Sequence, residues 1–130
     1  MKKIMLFLLL ATTGFAENLV LENQTSYPTQ NQKSKIAIQW ATSAKEVDEC
    51  NKAIMYGLKL NPATFQVLTQ PGNVSLNIPK NAACFRVLVW SKGEGSPDFH
   101  TNWVDVLPNK TYTLKTDHLV PSVLISGSGC

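Results

Sequence analysis

Apolar and polar residues alternate with a period of two along most of this chain. Ile36, Ile38 and Trp40 fall on one side of a run whose other side carries Ala37, Gln39 and Ala41. That is the pattern of a strand with one face against a core. Leu19 and Leu21 begin the same pattern earlier, against Val20 and Glu22. Phe65 and Val67 alternate with Gln66 and Leu68, and Val74, Leu76 and Ile78 resume it with Ser75 and Asn77 on the outer side. Between them stands Gln70-Pro71-Gly72-Asn73. Proline presets φ at the second position and glycine accepts a positive φ at the third, so a type II turn is expected there. The two flanking runs, Thr64–Thr69 and the return strand from Val74, read as a hairpin.

Cys84 to Trp90 is almost wholly apolar, as befits a central strand buried on both faces. Arg86 is its one charge and is expected to be paired or to reach an edge. Trp103–Leu107 predicts another strand, Pro108-Asn109 a turn and Thr111–Lys115 its partner, with a last strand at Ser122–Ser126. Helical spacing occurs once. Ser43 and Glu46 have capping-box spacing, and Val47, Cys50 and Ile54 share a face, which predicts a helix over about Ala44–Lys52. Seven or eight strands and one short helix give a mainly β fold, an antiparallel β-sandwich formed by residues 17–126 as a single domain.

Two local stretches carry a resemblance. Val106-Leu107-Pro108-Asn109-Lys110-Thr111-Tyr112 resembles the tyrosine-corner turn of fibronectin type III and other immunoglobulin-like domains. Ile36-Ala37-Ile38-Gln39-Trp40 looks like their tryptophan-bearing early strand. The resemblance implies an immunoglobulin-like sandwich, from which the helix departs, and carries no function with it.

The start of the chain changes the setting. Met1-Lys2-Lys3 is basic, Ile4–Ala11 is apolar, and Gly14 and Ala16 put small side chains before Glu17. Residues 1–16 therefore read as a secretory signal peptide, with an apolar core short of the ~20 residues a membrane span needs. A secreted or periplasmic location follows, without membrane insertion. The chain has 12 basic and 9 acidic residues, a net charge of +3. Lys2 and Lys3 leave with the leader, so little positive charge remains and no basic cluster survives. Nucleic acid, whose phosphates call for a basic patch, is excluded as a partner.

Three cysteines remain, an odd number in an oxidising setting. Cys50 and Cys84 are the preferred disulfide, which would close a loop of about 35 residues for ~3–4 kcal/mol. A bridge from Cys130 to one of them is the alternative. Cys130 ends a flexible Gly/Ser tail, residues 127–130, and is the thiol placed for a covalent dimer.

Catalytic signals are sparse. His100 with Asp98, and His118 with Asp117, occupy two turns, but no H-x-x-x-H or C-x-x-C spacing selects a metal. There is no G-x-S-x-G elbow, and no cofactor is expected. The loop Lys92–His100 is the longest, with Trp90 and Trp103 on its flanks. Asp98, Phe99, His100 and Trp103 are the candidate ligand contact, an aromatic platform beside polar groups suited to a sugar ring or a partner's anchor residue. The expected function is a non-enzymatic binding module for a protein or glycan. A structural subunit joined through Cys130 or an edge strand is the alternative, and a small hydrolase or metalloenzyme comes third. Sequons stand at Asn23, Asn73 and Asn109, which carry no glycan if the short lysine leader is bacterial.

Overall fold

A computed structural model describes residues 17–29 and 33–122. The expected leader, the Gly/Ser tail with Cys130, and all but the first residue of the expected strand Ser122–Ser126 lie outside the described residues. The described chain is mainly β, with nine strands in two sheets and one α-helix. In chain order the elements are β1 (Asn18–Asn23), β2 (Lys35–Ala41), α1 (Ala44–Met55), β3 (Phe65–Val67), β4 (Val74–Asn77), β5 (Cys84–Trp90), β6 (Phe99–His100), β7 (Val104–Asp105), β8 (Thr111–Leu114) and β9 (Val120–Pro121). The smaller sheet has the order β4-β1-β8. The larger runs β3-β2-β5-β6-β9, with β7 also on β5. Pairing is antiparallel throughout except between β1 and β8, which run parallel.

Period-two alternation decides what lies where. Ile36, Ile38 and Trp40 of β2, with Phe85, Val87 and Val89 of β5, face Leu19, Leu21, Leu76 and Leu114 of the smaller sheet. These residues form the main core. The opposite face of the β2–β5 pair carries Ala37, Leu88 and Trp90, packed with Ile54 of α1, and Ala41 and Cys84, packed with Val47. Both faces of β5 are therefore buried along its whole length, as its apolar composition predicts.

α1 starts where the capping pattern places it. The Ser43 hydroxyl accepts from the Glu46 amide at 3.2 Å, and the Glu46 carboxylate accepts from the Thr42 amide at 2.7 Å. The helix runs a turn beyond Lys52 because Ile54 continues its buried stripe. It ends at Gly57, φ 65°, where Leu58 donates to Ala53 O at 2.7 Å and Gly57 to Ile54 O at 3.2 Å. This is the left-handed termination that glycine permits.

Neither predicted hairpin forms. β3 pairs with β2 in the larger sheet, whereas β4 pairs with β1 in the smaller one. Leu68 is buried in the main core, so the chain passes from one sheet to the other through the Pro71-Gly72 turn. β7 and β8 divide in the same way, β7 on β5 and β8 on β1. The tyrosine-corner pattern marks this second crossing. Tyr112 Oη donates to Asp105 O at 2.6 Å and accepts from the Leu107 amide at 2.9 Å.

The Cys50–Cys84 bridge is not formed either. Cys84 packs against Val47 of α1, one turn before Cys50, so the helix presents the wrong residue to it. A disulfide needs Cβ atoms about 3.8 Å apart. Both thiols are buried. Desolvation raises the Cys50 pKa, the nearby Arg86 charge opposing it.

Candidate functional site

The four expected contact residues do not share a surface. Phe99 pairs with Val89 and His100 with Leu88, so successive side chains point to opposite faces. Phe99 packs on the core between the sheets. His100 lies on the helix side, buried, with its Nδ1 3.2 Å from Ser122 Oγ. Trp103 also turns to the helix side, against Ala41, Val47 and Cys84. Asp98 is engaged within its own loop. Its carboxylate accepts from the Ser91 amide at 2.8 Å and from the Ser91 hydroxyl. The loop is further tied by Trp90 Nε1 donating to Gly95 O at 2.9 Å. At Gly93, φ 79°, an added Cβ would sit 2.9 Å from the Lys33 carbonyl oxygen. This loop is a folded cap rather than a presented platform.

Two other regions concentrate chemistry. One is a polar centre beneath α1, built on Arg86. Its side chain is 1% exposed and does not reach an edge; it is paired, with neutral side chains rather than a carboxylate. Arg86 Nε donates to Gln39 Oε1 at 2.8 Å and Nη1 to Asn51 Oδ1 at 2.7 Å. The guanidinium carbon stands 4.5 Å from the Trp103 ring centroid, and Trp103 Nε1 also donates to Asn51 Oδ1, at 3.1 Å. Nη2 has no partner among the described residues. A cation without a counter-ion in such a site is costly unless fully hydrogen-bonded. Burial accordingly lowers the Arg86 pKa to about 10. Burial, and then the Arg86 charge, lower the His100 pKa to about 4. A hollow of about 180 Å³ beside the centre is lined by Gln39 and Cys50, with Glu46 and Glu49. Those two carboxylates oppose entry of an anion towards Arg86.

The second region is a cleft of about 370 Å³ between the two sheets. Its floor is core: Leu21, Phe85, Val87 and Leu114. Val104 and Val120 stand at its mouth, 39% and 37% exposed. Thr101, Asn102 and Thr113 add polar groups, and Asp117 and His118 line it from the turn after β8. The His118 Nδ1 accepts from the Lys115 amide at 3.0 Å, which fixes the turn. The Tyr112 ring meets Phe85 edge-on, centroids 4.9 Å apart. A further hollow of about 530 Å³ is lined by Pro28, Thr29, Ser34 and Lys35 on one side and Val67–Pro71 on the other.

The cleft exists because three strands cannot cover six. Among the described residues no strand of the smaller sheet lies beyond β8, and Val104, paired with Phe85 on the inner face of the larger sheet, is bared there. An apolar floor with a few polar groups around it, in this volume range, is the usual make-up of a ligand site. Sequence reasoning missed it because its residues come from six separate stretches. Among the described residues no group of three or more His, Cys, Asp or Glu is placed to hold a metal, and no helix is long and apolar enough to cross a membrane. Comparison with protein families, with curated proteins and with solved structures returns no match for this chain.

Proposed function

We propose that this protein is an exported, non-enzymatic binding module that receives a partner in the cleft between its sheets. The leader-like residues 1–16 support export. The observation that carries the binding reading is Val104, exposed beside its partner Phe85 above a floor of buried core residues. Apolar surface left open at the mouth of a core marks a contact waiting to be made. The sealed Arg86 centre and the tied loop 92–100 offer no comparable surface. A nuclear magnetic resonance screen with small apolar and aromatic fragments tests the reading. Shifts grouped on Phe85, Val87, Val104, Tyr112 and Val120 are expected. Shifts grouped on residues 92–100 would move the binding site back to that loop.

A further inference from the structure

β8 is an outer strand of the smaller sheet, paired among the described residues with β1 alone. Its register determines which backbone groups are spent. Val20 donates to Lys110 O at 3.0 Å and Gln24 to Leu114 O at 2.8 Å, with Val20 opposite Thr111 and Glu22 opposite Thr113. In a parallel ladder the amide and carbonyl of one residue point the same way and alternate along the strand. Tyr112 and Leu114 therefore turn their backbone groups to β1, and Thr111 and Thr113 turn theirs outwards. The open edge borders the cleft, which Thr113 lines along with Tyr112 and Leu114.

We infer that the partner enters as an extended polypeptide segment, adding a fourth strand to the smaller sheet along β8 and pointing alternate apolar side chains at Phe85, Val87 and Val104. This rests on the cleft being the binding site. An edge with unspent amides and carbonyls above an apolar floor matches a strand on both counts, since backbone bonds supply affinity and alternate side chains fill pockets. A sugar is a poorer fit. No tryptophan lines the cleft, and the Tyr112 hydroxyl is already bonded to Asp105 and Leu107. A second folded copy is also poor, because Leu114 of its own β8 is spent in its core. The chain's described end heads elsewhere: β9 runs antiparallel to β6, and Ser122 bonds to Asp98 O at 2.9 Å, away from Thr101 and Val104.

The test uses the full exported chain and a displayed library of ten-residue peptides, half with apolar residues at every second position and half with the same composition shuffled. Selection is expected to enrich the alternating half. Bound, the best peptide should slow amide exchange at Thr111 and Thr113 at least about tenfold, leaving Tyr112 and Leu114 unchanged. Val104→Asp should weaken it by about tenfold or more, with an unchanged amide spectrum elsewhere. Peptides that shift the cleft while Thr111 and Thr113 exchange as before would overturn strand addition and leave the cleft as the site. So would cleft shifts produced by a panel of soluble oligosaccharides when no peptide is selected. Selected peptides and fragments that all map outside the cleft would sink both readings together.

Discussion

The polar centre under α1 and the cleft between the sheets are opposites. In the centre, a charged side chain is 1% exposed, and two neutral side chains and an indole are arranged around it. In the cleft, aliphatic side chains of the core are reached from outside. Both reverse the ordinary distribution of polar and apolar groups, yet they reverse it for different ends. The centre spends Arg86 Nε and Nη1 on Gln39 of β2 and Asn51 of α1, and so acts as a rivet between α1 and the β2–β5 pair. The cleft leaves both apolar surface and backbone groups unspent. A conspicuous buried charge thus ties the fold together here, and the plain aliphatic opening is the surface on which the proposed recognition rests.

The sharpest way to break this contrast is to remove the shared acceptor. Asn51→Leu takes a partner from both Arg86 and Trp103, and a loss of about 3 kcal/mol is expected in urea unfolding, since hydrogen bonds to charged groups count for ~1.5–3 kcal/mol. If the centre is a rivet rather than a binding group, Arg86→Met, which takes the guanidinium donors from the buried Gln39 and Asn51 carbonyls, should cost about 2–4 kcal/mol and leave ligand binding untouched. A loss of binding with stability kept would make Arg86 a binding group instead.

Acid should separate the regions next. The folded His100 pKa, lowered to about 4, lies below its ordinary 6.5. The unfolded chain then binds the proton more readily, so this contribution to stability is complete above pH ~6.5 and is lost as pH falls towards about 4. His100→Gln is expected to flatten the fall in urea midpoint between those values. An unchanged slope would remove His100 from the account.

Tyr112 joins the cleft to the sheet crossing. Tyr112→Phe deletes both hydroxyl bonds while keeping the ring on Phe85, and a loss of ~1–2 kcal/mol is expected. The smallest effect on stability belongs to Val104→Asp. Its side chain is already partly in water, so unfolding should change by no more than ~0.5 kcal/mol. A larger loss would show that Val104 is core rather than the rim of an opening.

Strand positions were legible in the sequence, because a two-residue period reports burial directly. β1, β2, β4 and β5 lie where Leu19, Ile36, Val74 and Cys84 place them, and Ser43 with Glu46 locates α1. Partner choice was not legible. Phe65–Val67 and Val74–Asn77 look like a hairpin because a good turn joins them, but the turn serves equally well to carry the chain between sheets. The one parallel pair, β1 with β8, joins strands from the two ends of the described chain and has no local signal. At the site, the period itself held a warning: Phe99 and His100 are adjacent, so a strand must send them to opposite faces. Gln39 and Arg86, polar residues at the helix-side positions of two buried strands, were the available signal for the polar centre. The cleft had none, since it arises from a count of strands in each sheet.

The most direct test of the central claim is amide hydrogen exchange along β8 in the unliganded chain. Alternation is expected, with Tyr112 and Leu114 slow and Thr111 and Thr113 fast, because only the first pair is spent on β1. Four equally slow amides would contradict it, since the edge of β8 would then already be covered and the cleft closed.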